Sequence, residues 1–332
     1  MTQSDPTQTR VLQILKENQG RFVSGIVLSS RLGISRTAIW KHIRGLRSLG
    51  YDILSHPKTG YSLVSTPDTL TPEEVLPLLR TSWLGRDYHY HPTVTSTNDV
   101  VMRTAAEGGP HGYTVVAEEQ TKGRGRLRRP WISPPGTGIY VSFLLTTPMP
   151  VRHAPLTTLV AALALTKVVR RDYGLSAAIK WPNDVLVRSR KLSGILTEIQ
   201  SDQELTRFIV IGIGINVNQT AEDLSGDFRY PPTSLAAEAG GPVSRKELLT
   251  AFLAQFEAEF GVFVENGFAS LLDELERFSA ILGKVVTIHG GNREISGLVS
   301  GFTPEGALKL VSRDGHEETI WVGDITRVEG EF

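Results

Sequence analysis

Residues 120–131 read QTKGRGRLRRPW, with five cations, two glycines and no acid from Lys122 to Arg129. Glycine lets backbone N–H groups come close to a phosphate with no Cβ in the way. Arginine holds a carboxylate or phosphate through two parallel hydrogen bonds from its planar fork. Arg124 and Arg126 alternate with Gly123 and Gly125, so two forks stand on a backbone that can itself donate. A solvated basic loop has the same composition. The stretch therefore acquires meaning only beside other motifs. Trp131, just after it, reads either as a stacking surface or as core.

Three further constellations could do chemistry. Thr95-Ser96-Thr97-Asn98 closes a strand and opens a helix, where free N–H groups and hydroxyls either hold a polar ligand or simply cap the helix. Lys180-Trp181-Pro182-Asn183-Asp184 makes a turn after an extended Trp181, and seven residues on Lys191 begins KLSGIL, with Gly194 entering an apolar strand. A lysine at a strand mouth is either a surface charge or, near a phosphoryl centre, an electrostatic catalyst. Residues 211–218 read IGIGINVN, whose Gly212 and Gly214 mark close approach of a ligand or of another backbone. The dinucleotide fingerprint, the Walker A sequence, the zincin motif and the serine-nucleophile elbow are all missing. Without cysteine there is no disulfide, no thiolate metal site and no acyl carrier of that kind.

The elements that must position these residues form a body of mixed strands and helices. Strands are predicted at 88–90, 113–118, 139–145, 178–181, 185–187, 194–199 and 208–213, and helices at 98–107, 156–173, 244–266 and 270–278. Many short strands with long helices favour a mixed sheet. After residue 283 the pattern turns to short alternating strands at 285–289, 294–300, 307–311 and 318–322. Turns fall at Gly290-Gly291, Pro304-Glu305-Gly306 and Asp314-Gly315.

A chain of 332 residues is long for one core. Its formal net charge of zero hides an asymmetry: residues 1–65 hold nine Lys/Arg against three Asp/Glu, which leaves 26 against 32 for the rest. A basic module precedes a mildly acidic body, so an anionic partner is expected for the module alone. No apolar run reaches bilayer-spanning length and the N-terminus lacks a signal-peptide pattern, so no membrane partner is expected and the location is expected to be cytoplasmic.

Within the basic module a first helix covers 11–16, Ser24 caps a second that runs to Leu32, and Ser35 caps a third. In the third, Ile39, Ile43 and Leu46 share one face while Arg36, Thr37, Trp40, Lys41 and Arg44 share the other. That is the geometry that lays a recognition helix in the major groove. Strands at 51–55 and 61–64, joined by HPKTG with Lys58, would form a wing. The module resembles winged helix-turn-helix repressor domains. The same elements would also serve a module that only packs or dimerises, and Trp40 either meets a thymine methyl or is buried elsewhere. The segment TPDTLT at 66–71 reads as a linker, followed by a short helix at 73–79.

Taken together and in this order, STN, QTKGRGR, KWPND with KLSGIL, and IGIGINVN resemble the biotin protein ligases of the bifunctional biotin operon repressor type, over nearly the whole chain. The resemblance implies an α+β chain. Residues 1–65 would be the winged helix-turn-helix, 66–80 a linker and short helix, 81–282 a central mixed sheet with helices like a class II synthetase body, and 283–332 an SH3-like β-barrel. It also implies a homodimer that uses biotin, ATP and Mg²⁺, a biotin carboxyl carrier protein of acetyl-CoA carboxylase as acceptor, and operator DNA as partner. Arg36, Thr37, Trp40, Lys41, Arg44 and Lys58 would meet that DNA.

For the site, the resemblance implies that Ser96, Thr97, Asn98 and Gln120 bind the biotin ring while Gly194 and Gly212 shape its slot. Arg124, Gly125 and Arg126 would hold the carboxylate and phosphate, and Lys191 would sit at the acyl phosphate. Asn183, Asp184 and Asn216 would meet nucleotide or magnesium, and Trp131 would lie beside the adenylate; no residue is assigned as a dedicated metal ligand. Biotin carboxylate would attack the α-phosphorus of ATP, and a carrier lysine would then take the acyl group, with Arg124, Arg126 and Lys191 as the catalytic cations. The family pattern has glycine where Arg128 stands, so the loop is expected to follow another path there. Residues 219–230 read as a second loop that orders over the nucleotide. The rival readings are a biotin-sensing transcription factor with a catalytically silent body, and a ligase whose winged helix no longer represses.

Overall fold

The computed structural model describes residues 5–226, 230–290 and 293–329. The chain divides into two compact units, Met1–Asp68 and Thr69–Phe332.

In the first unit, α1 (Pro6–Glu17) starts at Asp5, whose side chain accepts from the Thr7 N–H, with Pro6 in the first turn. Ser24 accepts from the Val27 N–H to cap α2 (Gly25–Leu32), which stops at left-handed Gly33, and Ser35 accepts from the Ala38 N–H to cap α3 (Arg36–Ser48). Val11, Leu12, Leu15, Leu28, Ile39, Ile43 and Leu46 form the core between them. The hairpin of β1 (Asp52–His56) and β2 (Gly60–Ser65) follows. A Cβ at Gly60 would collide with the Val23 carbonyl oxygen, so glycine there lets the hairpin lie against Val23, whose N–H donates to the Tyr61 carbonyl at 2.8 Å.

Arg36, Thr37, Trp40, Lys41, Arg44 and Lys58 are all exposed. Trp40 is not buried elsewhere: it stays 49% exposed, and the Arg44 guanidinium lies 5.0 Å above its ring. The indole is held by a cation on the same helix face.

In the second unit the expected helix at 73–79 is two short pieces, α4 (Pro72–Val75) and a 3₁₀ turn Leu76–Leu78. Pro77 has no N–H to continue the α pattern. The central sheet has seven strands, β3 (Tyr88–Val94), β4 (Thr114–Gln120), β5 (Gly138–Leu145), β6 (Ala177–Lys180), β7 (Asp184–Val187), β8 (Arg190–Asp202) and β9 (Leu205–Asn216). Their order is β3-β4-β5-β9-β8-β7-β6, with β3 and β4 parallel and every other pair antiparallel. The sheet is mixed, as expected.

One face of the sheet carries α5 (Thr97–Ala106), packed through Val101 and Ala105 on Val115, Leu144, Phe208 and Val210. The other carries α6 (Leu156–Tyr173), buried on nearly all sides, and later α8 (Arg245–Asn266), over Ile195, Ile211, Ile213 and Ile215. Alternation along β8 and β9 therefore turns the isoleucines toward α6 and the glycines between them toward α5.

Between β9 and α8 lies α7 (Leu235–Ala239), five residues capped by Ser234 and not foreseen, being too short for a periodic signal. The helix expected at 270–278 is a 3₁₀ turn Phe268–Leu271 running into α9 (Leu272–Arg277). The last strands, β10 (Val285–Gly290), β11 (Arg293–Phe302), β12 (Leu308–Val311), β13 (Glu317–Ile320) and β14 (Asp324–Val328), form an antiparallel sheet in the order β13-β12-β11-β10-β14. The strand expected at 318–322 ends at Ile320, and Trp321 and Val322 are exposed. β14 was not foreseen; it returns to pair with β10. Gly291, half of an expected turn, and residues 227–229 of the expected second loop lie outside the described residues. Val286, Ile288, Phe302, Leu308 and Ile325 join the same core as α6 and α8, so this sheet is packed onto the body.

Candidate active site

The floor of the site comes from strand register. β8 pairs with β9 so that Gly194 faces Gly214 and Leu196 faces Gly212. A Cβ at Gly212 would overlap Asn98 Oδ1, one at Gly214 would overlap the Trp131 indole, and one at Gly194 would sit 3.1 Å from Trp131 Cζ3. Three glycines thus open a slot against the sheet, with α5 and the Trp131 ring above it.

The wall of the slot is a hydrogen-bond network on α5. Ser96 is the N-cap residue, yet its side chain does not cap; the Thr97 N–H donates instead to Gln120 Oε1 at 2.9 Å, and Thr97 Oγ1 donates to the same oxygen at 3.1 Å. Gln120 Nε2 donates to Ser133 Oγ, and buried Ser142 Oγ lies 2.6 Å from both Thr97 Oγ1 and Asn98 Oδ1. The helix-cap reading of STN is thus only half right, because a distant glutamine supplies the cap.

Asn98 Nδ2 donates to Glu198 Oε2 at 2.7 Å. Arg124, expected to face a carboxylate or phosphate of a ligand, is held between Asp99, at 2.6 Å, and Glu198, at 3.0 Å. Burial pulls its pKa down, but hydrogen bonds to Asp99 and Glu198 outweigh that and raise it. Neither Asp99, Glu198, Ser142 nor Ser133 was singled out from the sequence. Glu198 had a signal: it lies four residues after Gly194 in β8, on the same side of the strand.

Arg126 differs from Arg124. Its two hydrogen bonds run to neutral oxygens, Asn183 Oδ1 at 3.3 Å and the Gly323 carbonyl at 3.1 Å. Burial lowers its pKa, against weaker opposing pulls from Asp324 and Asp184. A partly desolvated cation on neutral partners is poised for an anion. Lys191 Nζ stands 2.7 Å from Asp184 Oδ1 and 5.5 Å from the Trp131 ring. Buried Lys180 lies 3.8 Å from Asp184 on the other side and 4.0 Å from the Tyr230 ring.

The loop closes on itself, with the Trp131 N–H donating to the Gly123 carbonyl and the Gly125 N–H to the Arg129 carbonyl; Arg129 pairs with Asp324 at 2.6 Å. Arg128 stands at φ 57° and Leu127 at φ 55°. The loop thus does not avoid the left-handed region where glycine is missing; Arg128 adopts it. Left-handed backbone costs an L-residue roughly 1–2 kcal/mol, and the extra unfolded-chain entropy of glycine offsets roughly 0.5–1 kcal/mol of what its replacement by glycine would relieve. Arg128→Gly is accordingly expected to leave loop stability nearly unchanged, whereas β-branched Arg128→Val should open the loop. Limited proteolysis within residues 123–131 checks this, faster nicking being expected for the valine variant alone.

One cleft brings together Ser96, Thr97, Asn98, Gln120, Arg124, Gly125, Arg126, Trp131, Asn183, Asp184, Lys191, Gly194 and Gly212. Asn216 does not line it; buried behind, it reaches the Lys191 carbonyl at 3.5 Å. The cleft volume is ≈ 90 Å³, small beside the roughly 300–1,000 Å³ of sites that hold cofactor-sized ligands. Trp131 fills much of it, and its Nε1 has no hydrogen-bond partner among the described residues. No cluster of three or more His, Asp or Glu able to hold a metal occurs among the described residues, and no helix among them is long and apolar enough to cross a membrane. The arrangement can seat a flat polar ring against glycine and bring two cations to an anion at its mouth.

Residues 90–216 match the model of the biotin/lipoate A/B protein ligase family, and residues 7–62 that of an HTH domain. The bifunctional ligase/repressor BirA of Bacillus subtilis (strain 168) is 34% identical over 315 residues, covering 95% of this chain and 97% of its own. Its namesake in Escherichia coli (strain K12) is 32% identical over 307 residues, covering 92% and 93%. Among solved structures, a biotin protein ligase from Aquifex aeolicus in complex with biotin and ATP superposes with a TM-score of 0.63 at 29% identity, covering 72% of this chain and 97% of that one.

Proposed function

The chain belongs to the biotin protein ligases of the bifunctional ligase/repressor type, and from that premise we propose how its own residues carry out the two activities. It is an ATP-dependent biotin protein ligase and a DNA-binding repressor, with biotin and ATP as substrates. Its acceptor is a lysine of the biotin carboxyl carrier protein of acetyl-CoA carboxylase, and its DNA is the operator of biotin genes.

A carboxylate is a poor acylating agent, so biotin is first activated: its carboxylate oxygen bonds to the α-phosphorus of ATP and pyrophosphate leaves. The product, biotinyl-5′-adenylate, is a mixed anhydride. The acceptor lysine amine then attacks the acyl carbon, loses a proton and expels AMP, so no enzyme nucleophile is required.

The observation that carries this reading is Arg126, partly desolvated and hydrogen-bonded to neutral oxygens, beside Lys191 at the same cleft. Two anions must approach each other in the first step, and fixed cations in a partly dry site offset that repulsion. Ser96, Thr97, Asn98 and Gln120 take the ureido ring, and Gly194, Gly212 and Gly214 leave space for it. The Gly125 backbone lies at the carboxylate, and Asn183 and Asp184 at the nucleotide. The bicyclic ring needs more space than the cleft has, so the Trp131 indole leaves the glycine floor and meets the adenylate. Asn216 acts through the Lys191 backbone.

Mg²⁺ finds no cage here: among the described residues of the site, Asp184 is paired with Lys191, Asp324 with Arg129, and Asp99 and Glu198 with Arg124. The ion therefore travels with the triphosphate, and no step is assigned to it.

Labelled biotin should enter a purified carboxyl carrier domain only with ATP and only when the target lysine is present; biotin bound without transfer would make the body a sensor. For repression, adenylate-bound chains pair as a homodimer and present two copies of α3 to paired half-sites. Lys41→Ala is expected to weaken binding to all DNA sequences alike and to reduce the slope of log affinity against log salt by about one. A variant with the parental slope would take Lys41 off the DNA.

A further inference from the structure

Arg124 and Arg126 are two residues apart in one loop, yet their surroundings differ in kind. Around Arg124 one guanidinium meets two carboxylates: Asp99 Oδ1 lies 2.6 Å from Nη1, and both Glu198 oxygens lie 3.0–3.1 Å from Nη2. A further anion approaching this cation meets one guanidinium and two carboxylates, whose summed charge is negative, so the trio as a whole does not attract it. The second Glu198 contact is to Asn98. Its Nδ2 donates to Glu198 at 2.7 Å while Ser142 Oγ lies 2.6 Å from its Oδ1, so the two ends of the amide are told apart by their partners.

We propose that Glu198, assisted by Asp99, is a positioning residue: it takes up the charge of Arg124, pins the base of the loop to α5 and β8, and orients Asn98. Arg126 and Lys191 are then the cations that meet the reacting anions. This rests on the ligase reading above, because it assigns Asn98 to the biotin ring.

The geometry fits a clamp. Glu198 is reached from the loop and from α5 at once, through residues 74 and 100 positions away. Arg124 also begins the closed stretch of loop, facing Pro130 across an isolated bridge. Release of Arg124 would free one strand of that closure and unpin the Glu198 carboxylate, and loss of that carboxylate would leave Asn98 Nδ2 with the 3.5 Å contact to the Leu196 carbonyl.

The test uses the full chain and the variants Glu198→Gln, Arg124→Gln and the double variant. Equilibrium dialysis with labelled biotin, without ATP, gives affinity for the ring; biotin-dependent exchange of pyrophosphate into ATP gives kcat and KM. Glu198→Gln is expected to weaken biotin binding and raise its KM on the order of tenfold, as loss of a charge-assisted hydrogen bond does. Its kcat should fall by less than about twofold, because no transition-state contact is removed. Arg124→Gln should match it, and the double variant should be no worse than either, since both break one unit. Arg124→Lys should recover part of the affinity by keeping the charge between the carboxylates.

Two results overturn the proposal. One is a fall in kcat for Arg124→Gln alone with Glu198→Gln silent, which would make the arginine a reacting cation. The other is a lowered thermal midpoint for Glu198→Gln with unchanged biotin KM, which would make the carboxylate structural. If the unmodified chain exchanges no pyrophosphate, the ligase reading fails, and dialysis still judges the clamp.

Discussion

Lys191→Ala is expected to slow adenylate formation on the order of 10²–10³-fold, the usual cost of removing one fixed charge-stabilising group from a site of this kind. The lysine is the second residue of β8, its N–H donates to the Pro231 carbonyl at 2.9 Å, and its own carbonyl accepts from the Thr233 N–H at 2.9 Å. The backbone is therefore fixed by bonds the substitution leaves alone, and the fold should persist. What is lost is the ammonium beside Asp184.

Asp184 would then keep Lys180 as its remaining cation, at 3.8 Å and buried. It would not be left as an uncompensated buried charge. The deficit should lie in kcat for pyrophosphate exchange rather than in biotin affinity. Exchange at the parental rate would remove Lys191 from the mechanism, and a lost circular-dichroism transition would mean that it served the fold.

Gly212→Ala is the second large effect. A methyl group at this position falls on Asn98 Oδ1, and the side chain cannot step aside freely because Ser142 and Glu198 hold it. Either the amide leaves the network or α5 moves off the sheet. Losing two buried hydrogen bonds costs about 1–3 kcal/mol for each group left unpaired. Biotin affinity is expected to drop at least a hundredfold on the same basis. Dialysis with labelled biotin, alongside a thermal melt, separates a filled slot from a displaced helix. Unchanged affinity would mean that the ring binds elsewhere.

Much of this was legible from short windows. Ser24 and Ser35 cap the helices expected of them, and Ile39, Ile43 and Leu46 are buried while Arg36, Lys41 and Arg44 are exposed. Helix α6 spans the residues its periodicity marks. The strands of the body occur where apolar runs and turn residues place them, with ends shifted by a few residues. Misses include pieces too short to show a period, such as α7 and β14, the helix that Pro77 interrupts, the expected 270–278 helix that opens as a 3₁₀ turn, and the first helix, which starts at Pro6 ahead of its apolar run at 11–16.

The site was legible as a set of residues and not as a circuit. Glycines 194 and 212, the STN triplet, Gln120, Arg126 and Lys191 were all named from motif order, and they line one cleft. Arg124 was named for the same reason and lines the same cleft, where it is ion-paired with Asp99 and Glu198. Its neighbours in sequence say only that it is an arginine on a glycine loop; its partners come from α5 and from the far end of β8.

Sequence by itself determined the local elements, the basic outer face of α3, the order of the motifs and the family they belong to, because caps, periodicity and motif spacing are written in windows of a few residues. Tertiary structure alone decided that Gln120 caps the helix Ser96 begins, that Arg128 takes a left-handed conformation, that Asn216 stands behind Lys191, and that Arg124 is neutralised while Arg126 is not. The physical reason is range. A charge is spent or available according to what lies within about 4 Å of it, and for Arg124 that neighbour is Glu198, brought there by the strand register of β8 and β9 and by the seating of α5.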